Sequence, residues 1–283
     1  MNKKNFSLNN GNQIPSIGFG TWRIPDGITA TNSVKAAIEF GYRHIDCAAA
    51  YSNEKSVGTA LKESGIKRNE LFITSKLKPT EHAYDKAKQG LSKTLEDLRL
   101  DYLDLYLVHW PNPISVRSHW QDALIEVWNA FEESYHQGLV KSIGVCNCHP
   151  HHLDVILKNA KVVPSVNQIR LCPGDVKEEV INWSRKNNIL VEAYSPLGGD
   201  QKNLLKDGMI IELGEKYNKS PSQLCLCWAM QQEYLPLPRS VTRDHIKANY
   251  DIYDFVLEKE DIEKLNKLSG YPDPFPHPDN ITW

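Results

Sequence analysis

Three features of the sequence predict an α/β fold with a parallel sheet, closed as a (β/α)8 barrel behind an N-terminal β-hairpin. Short apolar runs alternate with amphipathic stretches along almost the whole chain. The alternation recurs about every 30 residues, the size of a strand–helix–strand unit. A polar or ionisable residue closes nearly every apolar run, as expected where a barrel gathers its functional groups at the C-terminal ends of its strands. An open, doubly wound sheet alternates in the same way, and periodicity alone leaves both architectures standing.

The elements follow in order. Phe6-Ser7-Leu8 and Gln13-Ile14-Pro15 flank Asn9-Asn10-Gly11-Asn12, and Asn-Gly is a strong hairpin signal. The apolar runs are Ser16–Gly20, His44–Asp46, Leu71–Ser75, Leu103–Val108, Lys141–Val145, Ser165–Gln168, Leu190–Tyr194 and Tyr234–Leu237. Each is short and rich in Ile, Leu, Val or Phe, which suits strands buried on both faces. Helical patterns lie between them at Asn32–Phe40, Glu54–Glu63, Tyr84–Leu98, Trp120–Gln137, His151–Asn159, Val176–Asn187 and Ser222–Met230. Ser220-Pro221 supplies a cap and a first-turn proline. Gly41, Gly65 and Gly138 stand where helices end. The Pro-rich tail after Gly270 is expected to drape over the barrel, since it can form neither helix nor central strand.

Composition bounds the functions to consider. With 283 residues and 41% apolar side chains the chain can bury one sizeable core, and nothing resembling a linker interrupts it. Residues 1–283 are expected to form a single domain. A formal charge of −2 without runs of like charge argues against nucleic acid and membrane surfaces as partners. The polar start, Met1-Asn2-Lys3-Lys4-Asn5, precedes no apolar segment of the kind a secretory signal needs, and no run approaches a membrane span. Six cysteines in a chain this long suit free thiols in a reduced compartment. The expectation is a cytoplasmic monomer acting on a small molecule.

The informative residues sit at the strand ends. Asp46 closes the second run, with Tyr51 in the following loop. Lys76, His109, Asn147 and Gln168 end the next four, Tyr194 and Ser195 the seventh, Arg239 and Ser240 the eighth. Singly, each has a bland reading as a helix cap, a packing ring or a solvated charge. Together on one rim they point to a site. The chemistry that Asp, Tyr, Lys and His share is carbonyl reduction, in which hydride reaches carbon and a proton must reach oxygen. A tyrosine keeps its proton at neutral pH, and a nearby ammonium is expected to lower its pKa toward the working range. Asp46 would hold Lys76 charged, and His109 would orient the carbonyl oxygen.

At these residues the sequence resembles the aldo-keto reductase superfamily over nearly its whole length, including its shorter microbial members. The resemblance is carried, in family order, by Gly18-Phe19-Gly20-Thr21-Trp22, by Gly41-Tyr42-Arg43-His44-Ile45-Asp46 with Tyr51, and by Thr74-Ser75-Lys76-Leu77. Leu107-Val108-His109-Trp110-Pro111, Ser142-Ile143-Gly144-Val145-Cys146-Asn147 and Val166-Asn167-Gln168-Ile169 continue it. Ala193-Tyr194-Ser195-Pro196-Leu197-Gly198 and Leu237-Pro238-Arg239-Ser240-Val241 complete it. It implies a TIM barrel rather than the open sheet, and a catalytic tetrad of Asp46, Tyr51, Lys76 and His109. It implies NADPH lying extended over the rim. Asn147 and Gln168, with Cys146 beside them, would hold the carboxamide. Tyr194 would stack on the ring, and Ser195 and Leu197 would line the pyrophosphate path. Thr21, Trp22 and Asp46 would border the nicotinamide. Arg239, Ser240, Val241, Thr242, His245 and Asn249 would hold the adenosine phosphate end. Trp22, Tyr51, His109 and Trp110 would form the substrate pocket.

The chain departs from the family pattern at several positions. Cys146 replaces a serine, and a thiol is a weak donor. Arg239 replaces a lysine and can grip phosphate through two N–H groups. His245 stands where an arginine reads the 2′-phosphate, with Arg243 as a possible substitute, and Ala248 replaces a glutamate near adenine. These changes make NADH a candidate secondary cofactor. Arg170 and Cys172 replace a glutamate and a histidine. No metal role is assigned: Cys146-x-Cys148 and Cys225-x-Cys227 lack zinc spacing, and His149-Pro150-His151-His152 reads as a solvated helix start. The competing function is a non-catalytic NADP(H)-binding regulatory or structural barrel, disfavoured by the complete tetrad. A Schiff-base enzyme using Lys76 is weaker still.

Overall fold

The computed structural model describes residues 4–199 and 203–283. The opening hairpin pairs β1 (Asn5–Ser7) with β2 (Gln13–Pro15), with Phe6 opposite Ile14. Its turn is not the two-residue type that Asn-Gly favours. The Gly11 amide donates to the Leu8 carbonyl, and Gly11 alone in the turn takes a positive φ, 88°. That is the pattern of a longer loop closed by a left-handed glycine. Asn10 and Asn12 donate to the Lys141 carbonyl, and Asn9 donates to that of Pro164. Those residues immediately precede two barrel strands, so the hairpin plugs the N-terminal mouth and leaves the other mouth free.

Eight parallel strands follow, each beside its sequence neighbour. They are β3 (Gly18–Gly20), β4 (His44–Asp46), β5 (Phe72–Leu77), β6 (Leu105–Val108), β7 (Ile143–Cys146), β8 (Val166–Arg170), β9 (Leu190–Tyr194) and β10 (Leu235–Leu237). The Gly20 amide donates to the Pro238 carbonyl at 3.0 Å and draws the last strand against the first. Close approach explains the glycine at this seam. A Cβ on Gly18 would stand 2.5 Å from the Leu237 side chain and 2.6 Å from the His44 ring. The structure thus decides for the barrel over the open sheet.

The helical shell comprises α1 (Ile28–Phe40), α2 (Glu54–Glu63), α3 (Tyr84–Leu98), α4 (Trp120–His136), α5 (Pro150–Asn159), α6 (Glu178–Lys186), α7 (Gly208–Tyr217), α8 (Pro221–Gln231), α9 (Arg243–Tyr250) and α10 (Lys259–Lys267). Ser220 accepts the Gln223 amide and caps α8, as its sequence signals. The sequence reading passed over α7, α9 and α10. Helix α10 buries only Asp261 and Leu265, a stripe too narrow to show as periodicity. Trp128 is buried and donates to the Val162 carbonyl, so the Trp120–Trp128 stretch is a packing face. The tail lies over the open mouth, where the Trp283 carbonyl accepts the Ile114 amide. Among the described residues no helix is long and apolar enough to cross a membrane.

Candidate active site

The strand registers bring the rim residues together. Asp46 pairs with Thr74 on β5, two residues before Lys76, and Cys146 pairs with Gln168, which pairs with Glu192. Side chains that point inward at these levels meet inside the barrel. Lys76 is fully buried, and its ammonium donates to both carboxylate oxygens of Asp46 at 2.7 Å and to the Cys47 carbonyl at 2.9 Å. All three of its hydrogens are thereby used. Burial by itself would strip the proton from Lys76, but Asp46 and Tyr51 outweigh it and hold the pKa above its ordinary value.

Tyr51 sits in a short helical turn, Ala49–Tyr51, with its ring centre 5.0 Å from Lys76 Nζ and 5.7 Å from the His109 ring. Here one expectation is corrected. Burial raises the Tyr51 pKa, and although Lys76 pulls it down the net displacement is upward. The resting group is a firmly protonated phenol rather than one poised near neutrality. Burial, then Lys76, holds His109 well below the ordinary imidazole range, so its ring is neutral at pH 7. Its Nδ1 is buried without a hydrogen-bond partner.

Above this cluster opens a cavity of about 900 Å³. Trp22, Trp110, Phe275 and Trp283 form an aromatic wall: Phe275 meets Trp22 edge-on at 5.8 Å, and Trp283 meets Trp110 at 5.4 Å. Asp46, Tyr51 and His109 lie at the floor, with Lys76 behind them. Gln168 donates to Asp46 at 2.9 Å and to Glu192 at 2.8 Å, which spends its amide hydrogens and leaves its carbonyl oxygen facing only the distant Cys146 thiol. Asn147 donates to the His109 carbonyl and to Cys146 Sγ, and accepts from the Tyr194 hydroxyl at 2.9 Å. Asn147 and Ser195 have positive φ values of 59° and 49°, turning the chain sharply as it leaves β7 and β9.

A nicotinamide dinucleotide fits this donor set. The cavity is lined by the aromatic wall and by Cys146, Asn147, Tyr194, Ser195, Leu197 and Arg239, so amides, a ring and a cation all face it. Other expected contacts lie outside the cavity. Thr21 is fully buried, with its amide and hydroxyl both donating to the Asp46 carbonyl. Ser240 caps the chain locally by accepting the Thr242 amide, Val241 and His245 are exposed, and Asn249 is buried on α9. Arg243 pairs with Glu39 and stacks on Phe40, 4.7 Å from its ring centre, in a solvent-exposed contact with α1.

Two groups escaped the sequence reading, and a third was named there without a role. Glu192 is fully buried beside Gln168, and burial together with Asp46 pushes its pKa up to about 8. An ionisable residue inside the apolar run Leu190–Tyr194 was the signal. Phe275 and Trp283 of the tail complete the pocket, at a sequence distance that no local pattern spans. Arg170 is buried and pairs with Asp175, and it donates to the Gly198 carbonyl at 2.8 Å and the Tyr271 carbonyl at 3.1 Å. This gives the replacement of the family's glutamate a structural account: one guanidinium ties the loop after β9 to the tail. Nothing in the structure explains Cys172.

Residues 16–269 match the model of the aldo/keto reductase family. The chain is 40% identical to glyoxal reductase of Bacillus subtilis over 99% of its own length and 98% of the relative's. It is 38% identical to methylglyoxal reductase DkgA of Escherichia coli over 97% and 96% of the two chains. Among solved structures, an aldo-keto reductase from a Medee basin deep-sea metagenome library superposes with a TM-score of 0.93 at 38% identity, covering 98% of this chain and 100% of that one. A Bombyx mori aldo-keto reductase in complex with NADP gives 0.88 at 31% identity, over 99% and 100%.

Proposed function

The chain belongs to the aldo/keto reductase family and is an NADP-dependent carbonyl reductase, and from that premise we propose that Tyr51 protonates the carbonyl oxygen of small aldehydes and α-dicarbonyl compounds. The observation that carries this reading is the protonated Tyr51 phenol beside the buried Lys76 ammonium on the floor of an aromatic-walled cavity.

The nicotinamide supplies a hydride when bound. The remaining chemistry belongs to this chain. Asp46 and Lys76 are buried, so charges on the cavity floor act through a medium of low polarity. His109, neutral, donates a hydrogen bond to the carbonyl oxygen and directs it at the Tyr51 hydroxyl. The phenol proton moves to that oxygen, and the phenolate left behind is stabilised by Lys76. Asp46 keeps Lys76 protonated and fixes its position. The Gln168 carbonyl and the Asn147 amide would hold the carboxamide, Tyr194 would support the ring, and Arg239 would meet the anionic end. Trp22, Trp110, Phe275 and Trp283 present a shape suited to compact carbonyls. The glyoxal and methylglyoxal reductases among its relatives support that substrate size.

NADPH is our reading of the cofactor, with NADH as a secondary one, because Arg239 reaches the cavity while His245 does not. Residues 1–283 act as one domain and, with six buried free thiols, as a cytoplasmic monomer. The test is cofactor oxidation with glyoxal, methylglyoxal and aromatic aldehydes, using NADPH and NADH in turn. Turnover favouring NADPH is expected. Binding of NADPH without turnover of any carbonyl would overturn the reading in favour of a non-catalytic barrel.

A further inference from the structure

The cavity wall opposite the expected cofactor path carries a cation that the reduction does not use. Lys78 lines the cavity with Pro79 and Thr80, and Tyr51 and Ser52 line it from the neighbouring loop after β4. Strand order fixes where this wall stands. Strand β5 is third in the ring of eight and β9 is seventh, so they face each other across the barrel. Ser195 and Leu197, expected along the pyrophosphate path, follow β9. Lys78 follows β5, between β4, which leads to Tyr51, and β6, which leads to His109. It therefore belongs to the substrate half of the cavity.

Alternation along β5 aims the side chain. Lys76 points into the barrel, to Asp46, and Leu77 points outward against α3, where a Cβ on Gly90 would meet it at 3.0 Å. Leu77 is still in the strand, so Lys78 turns back to the inner face. At about 3.3 Å per residue, Lys78 stands two steps above the floor that Lys76 helps to form. Pro79 locks the backbone that follows, and the Glu81 amide donates to the Lys78 carbonyl at 3.0 Å, so the cation hangs from a fixed point.

Charge balance leaves this cation over. Of the ionisable side chains lining the cavity among the described residues, Asp46 is neutralised by Lys76, and Tyr51, His109, Cys146 and Tyr194 are uncharged at pH 7. Arg239 and Lys78 remain, and Arg239 has the anionic end of the cofactor to meet. The Lys78 ammonium makes no ion pair or hydrogen bond among the described residues. The carboxyls that feel its charge, Glu54 and Glu81, both have their pKa raised by burial, and Glu54 is spent on Ser75 and Thr94. The hydroxyls of Ser52 and Thr80 also lack a partner among the described residues.

We propose that Lys78, with the Ser52 and Thr80 hydroxyls, receives a carboxylate on the substrate, so that the enzyme favours aldehydes and ketones carrying a carboxylate away from the reacting carbonyl. One ammonium and two neutral donors match a single negative charge, whereas a phosphate dianion would call for a second cation. With the carbonyl oxygen at Tyr51 and His109 and the carboxylate at Lys78, both ends of a compact substrate are fixed. The inference rests on the reading of Tyr51 as proton donor to carbonyls in this cavity.

The test is steady-state NADPH oxidation by the full-length protein with two matched pairs: succinic semialdehyde against butanal, and 4-carboxybenzaldehyde against its methyl ester. The acid of each pair is expected to have kcat/KM about tenfold higher, mostly through KM, the scale of one charge-assisted hydrogen bond. High salt should shrink that ratio, because the cation is half-exposed. Lys78→Met should bring the ratio close to one, and Lys78→Glu should invert it. Lys62→Met, at an exposed lysine of α2 outside the cavity, should keep it. Should Lys78→Met not fold, Lys78→Gln takes its place. Equal kcat/KM for the acid and its neutral partner in the parent overturns the proposal, as does a preference that survives in the folded Lys78 variant. Turnover of the neutral aldehydes in either case leaves the reductase reading standing, whereas no turnover of all four removes both.

Discussion

The two ends of the cavity are built differently. At the floor, Asp46, Lys76 and Gln168 are buried and each is held by several hydrogen bonds that cross between strands. At the far end, Arg239 is exposed and the following residues turn outward onto α9, where His245 stays in solvent. The difference is one of dielectric. Charges on the floor must be paired because burial penalises them, so one substitution there disturbs all the others. Charges at the outer end are hydrated and loosely coupled, so that end can change without harm to the fold. Of the departures from the family pattern, Arg239, His245 and Ala248 fall there, whereas Cys146 and Arg170 are buried and the four tetrad positions conform.

The comparison is broken most directly at the floor. Tyr51→Phe should lower kcat by about 10²–10⁴-fold, the usual range for a general acid, and leave the NADPH dissociation constant nearly unchanged. Stopped-flow turnover with fluorescence titration checks both, and wild-type turnover would remove Tyr51 as the donor.

Arg170 joins the loop after β9 to the tail, and its loss should cost almost as much. Arg170→Leu leaves Asp175 with only Lys177 at 2.9 Å and frees both the Gly198 loop and the tail. The expected loss is about 3 kcal/mol of stability by urea unfolding, the scale for breaking a buried pair. KM should rise for cofactor and carbonyl together, because one residue secures both walls. A rise in one alone would mean the walls are independent.

Glu192 sharpens the contrast through pH. Its carboxyl ionises near 4.5 when unperturbed but near 8 in the fold. Between these values the unfolded chain has released a proton that the folded chain still holds. Stability therefore declines as pH rises through this window, and the decline is complete above the folded pKa. Glu192→Gln keeps an acceptor for Gln168 and should flatten the urea-midpoint profile between about pH 5 and 9, a change of a few kcal/mol at most. Superimposable profiles would show that Glu192 is ionised throughout.

The outer end should respond least. Arg239→Ala should raise KM for NADPH about tenfold, the scale of one charge-assisted hydrogen bond, with KM for NADH little altered. Arg243→Ala should change either value by less than twofold, since its guanidinium rests against Glu39 and Phe40 and does not line the cavity. A large effect of Arg243→Ala on NADPH alone would mean that it leaves α1 to meet the phosphate.

Alternation of buried runs and amphipathic stretches was enough, by itself, to establish the number and order of barrel strands, and β4 and β9 begin and end where the runs do. That works because a strand buried on both faces is largely apolar, even though Thr74, Ser75, Asn167 and Glu192 are buried within β5, β8 and β9. A polar residue at its end is then conspicuous, which is why Asp46, Lys76, His109 and Gln168 were legible. Closure of the sheet was implied by the family resemblance and not by periodicity; the company Glu192 keeps, the reach of Arg170 and the placement of Phe275, Trp283, His277 and Asp279 were decided only by the tertiary structure. These depend on contacts between segments far apart in the chain, such as Arg170 with Tyr271 and His152 with Asp279. Local propensity and periodicity carry no information about such pairs, because the free energy that selects them comes from burying both partners together.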